Sequence, residues 1–399
     1  MKILYHHRTQ AEDAQGIHIH EMVKAFRDLG HVVEIAALVE SEEGGKKIRG
    51  GGWKWLTRLA PNWVYEVMGL AYNVYGFQRL SRTIKRSRPD LIYERYSLNT
   101  LCGIWVSRRF GIPLVLEVNA PLSYEQDTLG KLTFRRLARF TERWICSHSS
   151  RTVVVSHIMK HYLQQEGVPA AKMVVMHNGI DADKFHPGIC GKGIREKYHI
   201  TDQTVIGFIG WFRKWHGLEM LLEIMHESQL GPKGVKLLLV GDGPAYADLY
   251  QYAQSRDLLS AVIFSGPIQR DEIPAYIAAM DIAIQPRAPA YACPMKIFEY
   301  LGLGKCIVAP NQPNICEIIQ DGVTGFMFQP DDKASLRRTL LLVLENQQLR
   351  ERTGKRAAQS VYERRFLWQS NAQKTLDLIF KQGAKEPVKI GEAEIQNVA

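Results

Sequence analysis

The residues best placed to do chemistry stand just past apolar runs, where a loop turns into a helix. In "AYACPMKIFEYLGLG" (290–304), Lys296 and Glu299 lie one helical turn apart on one face, after Pro294. The first N–H groups of that helix, from Cys293 through Met295 to Lys296, are free to bind an anion, and Lys296 adds a full charge. A carboxylate at Glu299 can accept hydrogen bonds from both hydroxyls of a ribose. The alternative is an i,i+3 ion pair, worth roughly 0.2–0.5 kcal/mol. The flanking residues are apolar, and an idle buried pair is costly, which favours the ligand-binding reading.

Three other loops are candidates. "GWFRKWHG" (210–217) clusters Arg213, Lys214 and His216 with two tryptophans ahead of a helix, a set of donors suited to a diphosphate. "TQAEDAQGIHIHE" (9–21) carries Gly16 before a helix, where the backbone can approach a phosphate. His18 and His20 follow it as ligand or acid–base candidates, or as ordinary helix-surface residues. "LVGDGP" (239–244) has only G-x-G, short of a dinucleotide fingerprint.

The elements that must position these residues alternate nearly throughout. Apolar runs at 2–7, 32–38, 91–96, 114–119, 152–156 and 173–178 predict one series of strands. Runs at 204–210, 236–241, 262–266, 282–286, 306–310 and 325–329 predict a second. Helical periodicity fills the gaps, as at 18–29, 98–110, 131–149 and 157–166, and the chain closes with helices near 332–345, 348–363 and 367–382. Such alternation means parallel sheets covered on both faces, here two doubly wound α/β domains. Ligands in such folds bind at the carboxyl ends of the strands, where the loops above fall. The turn-rich "NGIDADKFHPG" (178–188) marks the junction, so the domains are expected at 1–187 and 188–366. The tail 384–399 is polar and is expected to be poorly ordered.

The net charge of +10 is lopsided: residues 1–200 hold 29 Lys+Arg and 19 Asp+Glu, while residues 201–399 hold 22 of each. The basic half can face phosphates or an anionic membrane. Segments 51–88 and 131–148 interleave aromatics with Lys and Arg, which fits either a membrane-facing role or surface helices with snorkelling side chains. A nucleic-acid binder would spread its charge along a groove, and the neutral second half argues against one. The six cysteines form no CxxC pair, against a disulfide scaffold or zinc site. No run approaches the roughly 18 apolar residues of a membrane span and no signal pattern opens the chain, so the expected location is the cytoplasm, with peripheral contact to the inner membrane face open.

Taken in order, these segments resemble a retaining glycosyltransferase of the GT-B fold, of an exopolysaccharide-associated bacterial branch. The resemblance rests on "GIHIHEMVKAFRDLGHVVEI" (16–35), "VVMHNGIDADKFHP" (174–187), "LLLVGDGP" (237–244), "VIFSGPIQRDEIPAYIAAMDIAIQP" (262–286), "PMKIFEYLGLGKCIVAP" (294–310) and "EIIQDGVTGFMFQPDD" (317–332). It implies two Rossmann-like domains facing across a cleft, the acceptor on the first and the donor on the second, with a helix near 367–383 packing back on the first. It implies that Glu299 holds the donor ribose, that Arg213 and Lys214 bind the diphosphate, that Gly16 lies near the phosphates, and that "GPIQ" (266–269), with Ile268, meets the base. Three positions depart from the family pattern. Tyr291 stands where the first glutamate of E-x7-E usually touches the donor sugar. His216 replaces a lysine. The loop after strand 114–119 has Asn119 and Glu117 where a histidine is usual.

The expected activity is transfer of a hexose from a nucleotide-diphosphate sugar to a hydroxyl, on a saccharide or lipid-linked acceptor. Arg213, Lys214, Lys296 and helix N-termini would stabilise the leaving diphosphate, with Asn119 a catalytic candidate on the acceptor side. His216, Tyr291, Cys293 and Met295 would complete the donor site. No metal or cofactor is expected, since no Asp-rich ligand cluster is evident. A nucleotide-sugar epimerase is the alternative; it would need acid–base carboxylates in the cleft and no acceptor surface.

Overall fold

The computed structural model describes residues 1–9, 14–37 and 61–381. Positions 10–13 of the first loop, positions 51–60 of the aromatic and basic segment, and the tail 384–399 lie outside them.

Among the described residues, twelve strands form two parallel sheets of six. The first comprises β1 (Lys2–His7), β2 (Val32–Ala37), β3 (Leu91–Arg95), β4 (Leu114–Val118), β5 (Arg151–Val154) and β6 (Met173–Val175), in spatial order 2-1-3-4-5-6. The second comprises β7 (Thr204–Ile209), β8 (Val235–Val240), β9 (Val262–Phe264), β10 (Ile282–Ile284), β11 (Cys306–Pro310) and β12 (Phe326–Phe328), in order 12-11-10-7-8-9. Strand order therefore reverses between β1 and β3 in one sheet and between β7 and β10 in the other. A crevice opens at such switch points.

The strands read as continuous apolar runs because both faces are covered. In the first sheet Leu4, Ile92, Leu116 and Val154 pack on one side, and Ile3, Tyr5, Tyr93, Val115 and Val153 on the other. The second sheet alternates likewise, with Phe208, Leu239 and Ile284 opposed to Ile209, Val240 and Ala283. Buried charged and histidine side chains gather at the carboxyl ends of the first sheet's strands. His6, His7, Glu94, Arg95 and Glu117 are buried there, and each must find a partner.

The last helix, Trp368–Phe380, returns to the first domain. Its Trp368, Ala372 and Leu376 join the core formed by Tyr5, Met22 and Phe26. Asn371 donates to the carbonyl of His177 at 2.8 Å. The crossing is close enough that a Cβ on Gly179 would lie 2.6 Å from the Leu367 carbonyl carbon. Other bonds tie the domains directly. Glu317 accepts from the His157 N–H at 2.8 Å and from His177 Nε2 at 2.8 Å.

The helix Asn62–Ser87 buries Glu66, Asn73, Gly76, Leu80 and Ile84. Its opposite face leaves Trp63, Val67, Met68, Val74 and Tyr75 exposed. Glu66 accepts backbone N–H bonds from Thr133 and Phe134, which sets this helix beside the helix Arg135–His148. There Leu137 and Phe140, with Phe134 just ahead of the helix, are also exposed.

Candidate active site

A cavity of about 640 Å³ lies in the cleft. The first domain supplies Gly16, Ile17, His20 and Glu21 from the start of the helix Ala14–Asp28, and Lys184 from the junction. The second domain supplies loops at the carboxyl ends of β7, β8 and β9: Gly210 and Trp211, Gly241 and Asp242, and Pro267, Ile268, Arg270 and Asp271. The volume suits a small ligand. Gly16 and Ile268 thus face one another across the cleft.

The helix Met295–Gly302 begins after Pro294, as its sequence predicts, but its two charges do not pair. Glu299 is buried and accepts from Arg270 Nη1 at 2.8 Å. Arg270 lies on the wall of the cavity and also stacks on Phe185, at 5.4 Å. The Lys296 ammonium instead sits 3.8 Å from the centre of the Phe208 ring. Gly210, beside it, has a φ of +142°, a backbone conformation that disfavours any side chain, and a Cβ there would lie 2.8 Å from the ammonium. Burial pulls the Lys296 ammonium down to about 7, more than the nearby Glu299 carboxylate raises it. The amine is therefore poised to gain a proton when an anion arrives.

The loop 210–217 differs from expectation. Arg213, Lys214 and Trp215 form a single 3-10 turn with His216, and the three are exposed. Lys214 leads away to Asp248 Oδ2, at 3.6 Å. Neither Arg213 nor Lys214 lines the cavity, because the tight turn closed by Gly217 rotates them outward and His216 inward. His216 is buried against Phe208 and Trp215, and its Nδ1 accepts the Arg213 N–H at 3.3 Å. Burial, with the charges of Lys296 and Arg213, holds its imidazole down at about 2. His216 is a neutral brace for the loop, not a replacement cation. Arg270, which sequence reasoning missed, is the guanidinium brought to the cleft. Its only sequence signal was a lone arginine two residues past Ile268.

Cys293, Met295 and Tyr291 turn toward the first domain. The Cys293 carbonyl accepts from Asn178 Nδ2 at 2.7 Å, and burial pushes its thiol up to about 12. Met295 packs beside the Tyr5 and Trp368 cluster. The Tyr291 hydroxyl donates to Glu125 Oε1, from the helix Leu122–Thr128. Burial, with that carboxylate, raises the phenol well above its ordinary value. The tyrosine at the expected glutamate position is therefore a tie between the domains.

A second cavity, of about 570 Å³, opens in the first domain and includes Asn119 in its wall. Gln15 lines this cavity and Gly16 the other, so the first turn of one helix separates them. Beneath Asn119 lies a buried network. Glu117 accepts from Arg95 Nη1 at 2.7 Å, from Tyr93 Oη at 2.7 Å and from Asn119 Nδ2. Burial alone would raise the Glu117 carboxyl, but the facing His18 and Arg95 and the bonds from Tyr93 and Asn119 hold it below its usual range. His18 lies 3.3 Å from it and edge-on to Trp368, and burial holds the imidazole down at about 4, neutral at pH 7. His20, by contrast, is exposed at the mouth of the cleft cavity. Among the described residues, no three His, Cys, Asp or Glu side chains gather as a metal site would require.

Comparison with known proteins adds to this geometry. A family model described as glycosyltransferase family 4 matches residues 15–184, and one described as glycosyl transferases group 1 matches residues 192–360. An Escherichia coli UDP-Gal:alpha-D-GlcNAc-diphosphoundecaprenol alpha-1,3-galactosyltransferase is 25% identical over 68% of this chain and 70% of its own. An alpha-D-kanosaminyltransferase of Streptomyces kanamyceticus is 22% identical over 63% of this chain and 67% of its own. Among solved structures, Anabaena HepE in complex with UDP and glucose superposes with a TM-score of 0.70, at 19% identity, covering 94% of this chain and 98% of that one. A sucrose-phosphate synthase of Thermosynechococcus elongatus gives 0.74 at 16% identity, over 95% and 97% of the two chains.

Proposed function

This chain belongs to the glycosyl transferases of group 1, with a family 4 amino-terminal domain, and we propose that it moves a hexose from a nucleoside-diphosphate sugar to a hydroxyl of a lipid-linked saccharide, with retention of configuration. It is a glycosyltransferase of GT-B architecture. The epimerase alternative finds no support among these relatives. The observation that carries the proposal is the cleft cavity itself, with Gly16 on one wall and Arg270, paired to Glu299, on the other.

In this reading the donor base lies against Pro267 and Ile268, and its ribose hydroxyls reach Glu299, sharing the carboxylate with Arg270. The diphosphate lies between Lys296, the first N–H groups of the helix Met295–Gly302 and the Gly16 backbone. The C1–oxygen bond breaks with its electron pair passing to the leaving phosphate oxygen. Lys296, which has taken a proton from solvent as the donor bound, and Arg270 stabilise that charge as it grows. The acceptor oxygen attacks C1 from the same face, and its proton passes to the leaving phosphate. These fixed charges carry the leaving group without a cofactor. The bound UDP of HepE and the UDP-Gal named for the E. coli relative support a nucleotide-sugar donor.

The second cavity opens beside Tyr65, Gly69 and Lys131, next to the exposed apolar stripe of Trp63, Val67, Met68, Val74 and Tyr75. A lipid-linked acceptor would lay its chain against that stripe and its sugar in the cavity. This implies contact with a membrane surface; no helix among the described residues is long and apolar enough to cross one.

A panel of nucleotide sugars, assayed for nucleoside-diphosphate release and for the anomeric configuration of the product by proton NMR, tests the proposal. One donor should turn over, with retained configuration. No release from any donor, or an inverted product, contradicts it. Sedimentation with anionic vesicles tests the membrane contact: loss of binding in Trp63→Ser with Met68→Ser is expected, and no binding by the parent protein overturns it.

A further inference from the structure

The wall of the second cavity contains a cation that has no counterion among the described residues. Arg8, just past the end of β1, is half-buried in its wall. Its guanidinium lies 4.1 Å over the ring of Tyr72, and Nη1 donates to Thr100 Oγ1 at 2.8 Å. Its Nε is buried and donates to nothing among the described residues. No carboxylate among the described residues lies within ion-pair distance.

The acids around it among the described residues are committed elsewhere. Glu94 accepts from His6 Nδ1 at 2.6 Å, and Glu117 from Arg95. Glu66 caps the turn at Thr133 and Phe134, and Glu125 holds Tyr291. Lys131, exposed at the rim, adds a second cation without an ion pair among the described residues. The wall also holds Glu66, Glu125 and Arg95, each engaged as described, and the neutral polar groups of Asn119, Ser97 and Gln126, suited to hydroxyls. A half-buried guanidinium with an unmet donor carries a desolvation cost that an ionic partner would offset.

We propose that this cavity binds an oxyanion carried by the acceptor, a phosphate ester or a carboxylate, on Arg8 with support from Lys131. This deepens the assignment of the acceptor to the first domain and rests on it. The acceptor is then an acidic molecule. Its charge is held in the first domain while its hydroxyl reaches past the start of the helix Ala14–Asp28 toward the donor carbon.

Three amphiphiles with one alkyl chain separate the possibilities: dodecyl phosphate, dodecyl glucuronide and dodecyl glucoside, each titrated below its micelle concentration into the full chain by calorimetry. At least one acidic probe should bind about tenfold or more tighter than the neutral one, as expected for a charge-assisted hydrogen bond. Preference for the phosphate identifies a phosphate ester, and preference for the glucuronide a sugar acid. Arg8→Gln should remove the preference, Arg8→Lys should keep most of it, and Lys131→Ala should reduce it a fewfold. Lys296→Ala, in the donor site, should leave it intact. Equal binding of all three probes by the parent protein overturns the proposal. So does a preference that survives Arg8→Gln or vanishes in Lys296→Ala. If a substitution prevents folding, judged by circular dichroism, the parent-protein comparison and the rim variant still decide. Failure of every nucleoside diphosphate to bind the parent protein would instead contradict the transferase assignment.

Discussion

The two cavities of this protein are built in opposite ways. The donor-side cavity is framed by residues just past strand ends: the loop glycines Gly210 and Gly241, the apolar Ile268 and the charged Arg270. Its wall carries His20, Glu21, Lys184, Asp242, Arg270 and Asp271, on loops and helix ends, and behind it lie Lys296, whose ammonium burial pulls down to about 7, and Glu299, which accepts from Arg270. The acceptor-side cavity stands on charges inside the strands themselves, where His6, Glu94, Arg95 and Glu117 are buried. A nucleotide needs a backbone approach and one or two movable charges. A rigid polar floor suits a site that must orient a hydroxyl. The difference also separates what substitutions should cost: stability on the acceptor side, donor affinity on the other.

The largest effect should follow from Glu117→Gln, which strips Arg95 of its counterion. Breaking a buried pair costs about 3–5 kcal/mol. That corresponds to a fall of roughly 10 °C in melting temperature, at ~2–4 °C per kcal/mol for domains of this size. An unchanged melting curve would erase the contrast between the cavities. Next, Glu299→Ala leaves the partly exposed Arg270 free to turn to water, so it should cost less stability than Glu117→Gln, but it should lower kcat/KM by roughly 10–100-fold, mostly through the donor KM, since hydrogen bonds to charged groups are worth about 1.5–3 kcal/mol.

Lys296 gives a pH signature. Its ammonium form, which binds a diphosphate, is populated below about 7 and lost above it. Affinity for a nucleoside-diphosphate sugar should therefore weaken as pH rises from 6 to 9, by up to about tenfold per unit, with a proton taken up on binding. Lys296→Ala should flatten the profile; a flat profile in the parent protein would remove Lys296 from the site. Smaller still, Tyr291→Phe deletes one bond between the domains and should lower kcat/KM severalfold, about 1 kcal/mol, visible as a change in both kcat and KM. The smallest effect belongs to Lys214→Ala. Its side chain is exposed and faces Asp248, so transfer should change less than about twofold. A large loss there would mean that the loop 210–217 turns inward during the reaction.

All twelve strands were legible because each is a short apolar run bounded by turn residues. The helix Met295–Gly302 was legible from its proline and its flanking strands. What could not be read was pairing across the fold. Arg270 and Glu299 are 29 residues apart and meet only because β9 and β10 lie on opposite sides of β7. His6 and Glu94 are 88 residues apart on adjacent strands and looked like interruptions of two apolar runs. The departure at Tyr291 was visible as an anomaly, but its partner, Glu125, belongs to the other domain. His216 shows the reverse error. A histidine beside two basic residues suggests a cluster of cations, yet burial makes it neutral and turns its neighbours outward.

The most direct test of the donor assignment is a thermal-shift titration of nucleoside-diphosphate sugars against the parent protein, Glu299→Ala and Arg8→Gln. A ligand that binds the native state raises its melting temperature. One sugar nucleotide should stabilise the parent and Arg8→Gln alike and lose most of its effect on Glu299→Ala. An equal shift in Glu299→Ala, or no shift in the parent with any donor, would contradict a nucleotide-sugar site in the cleft.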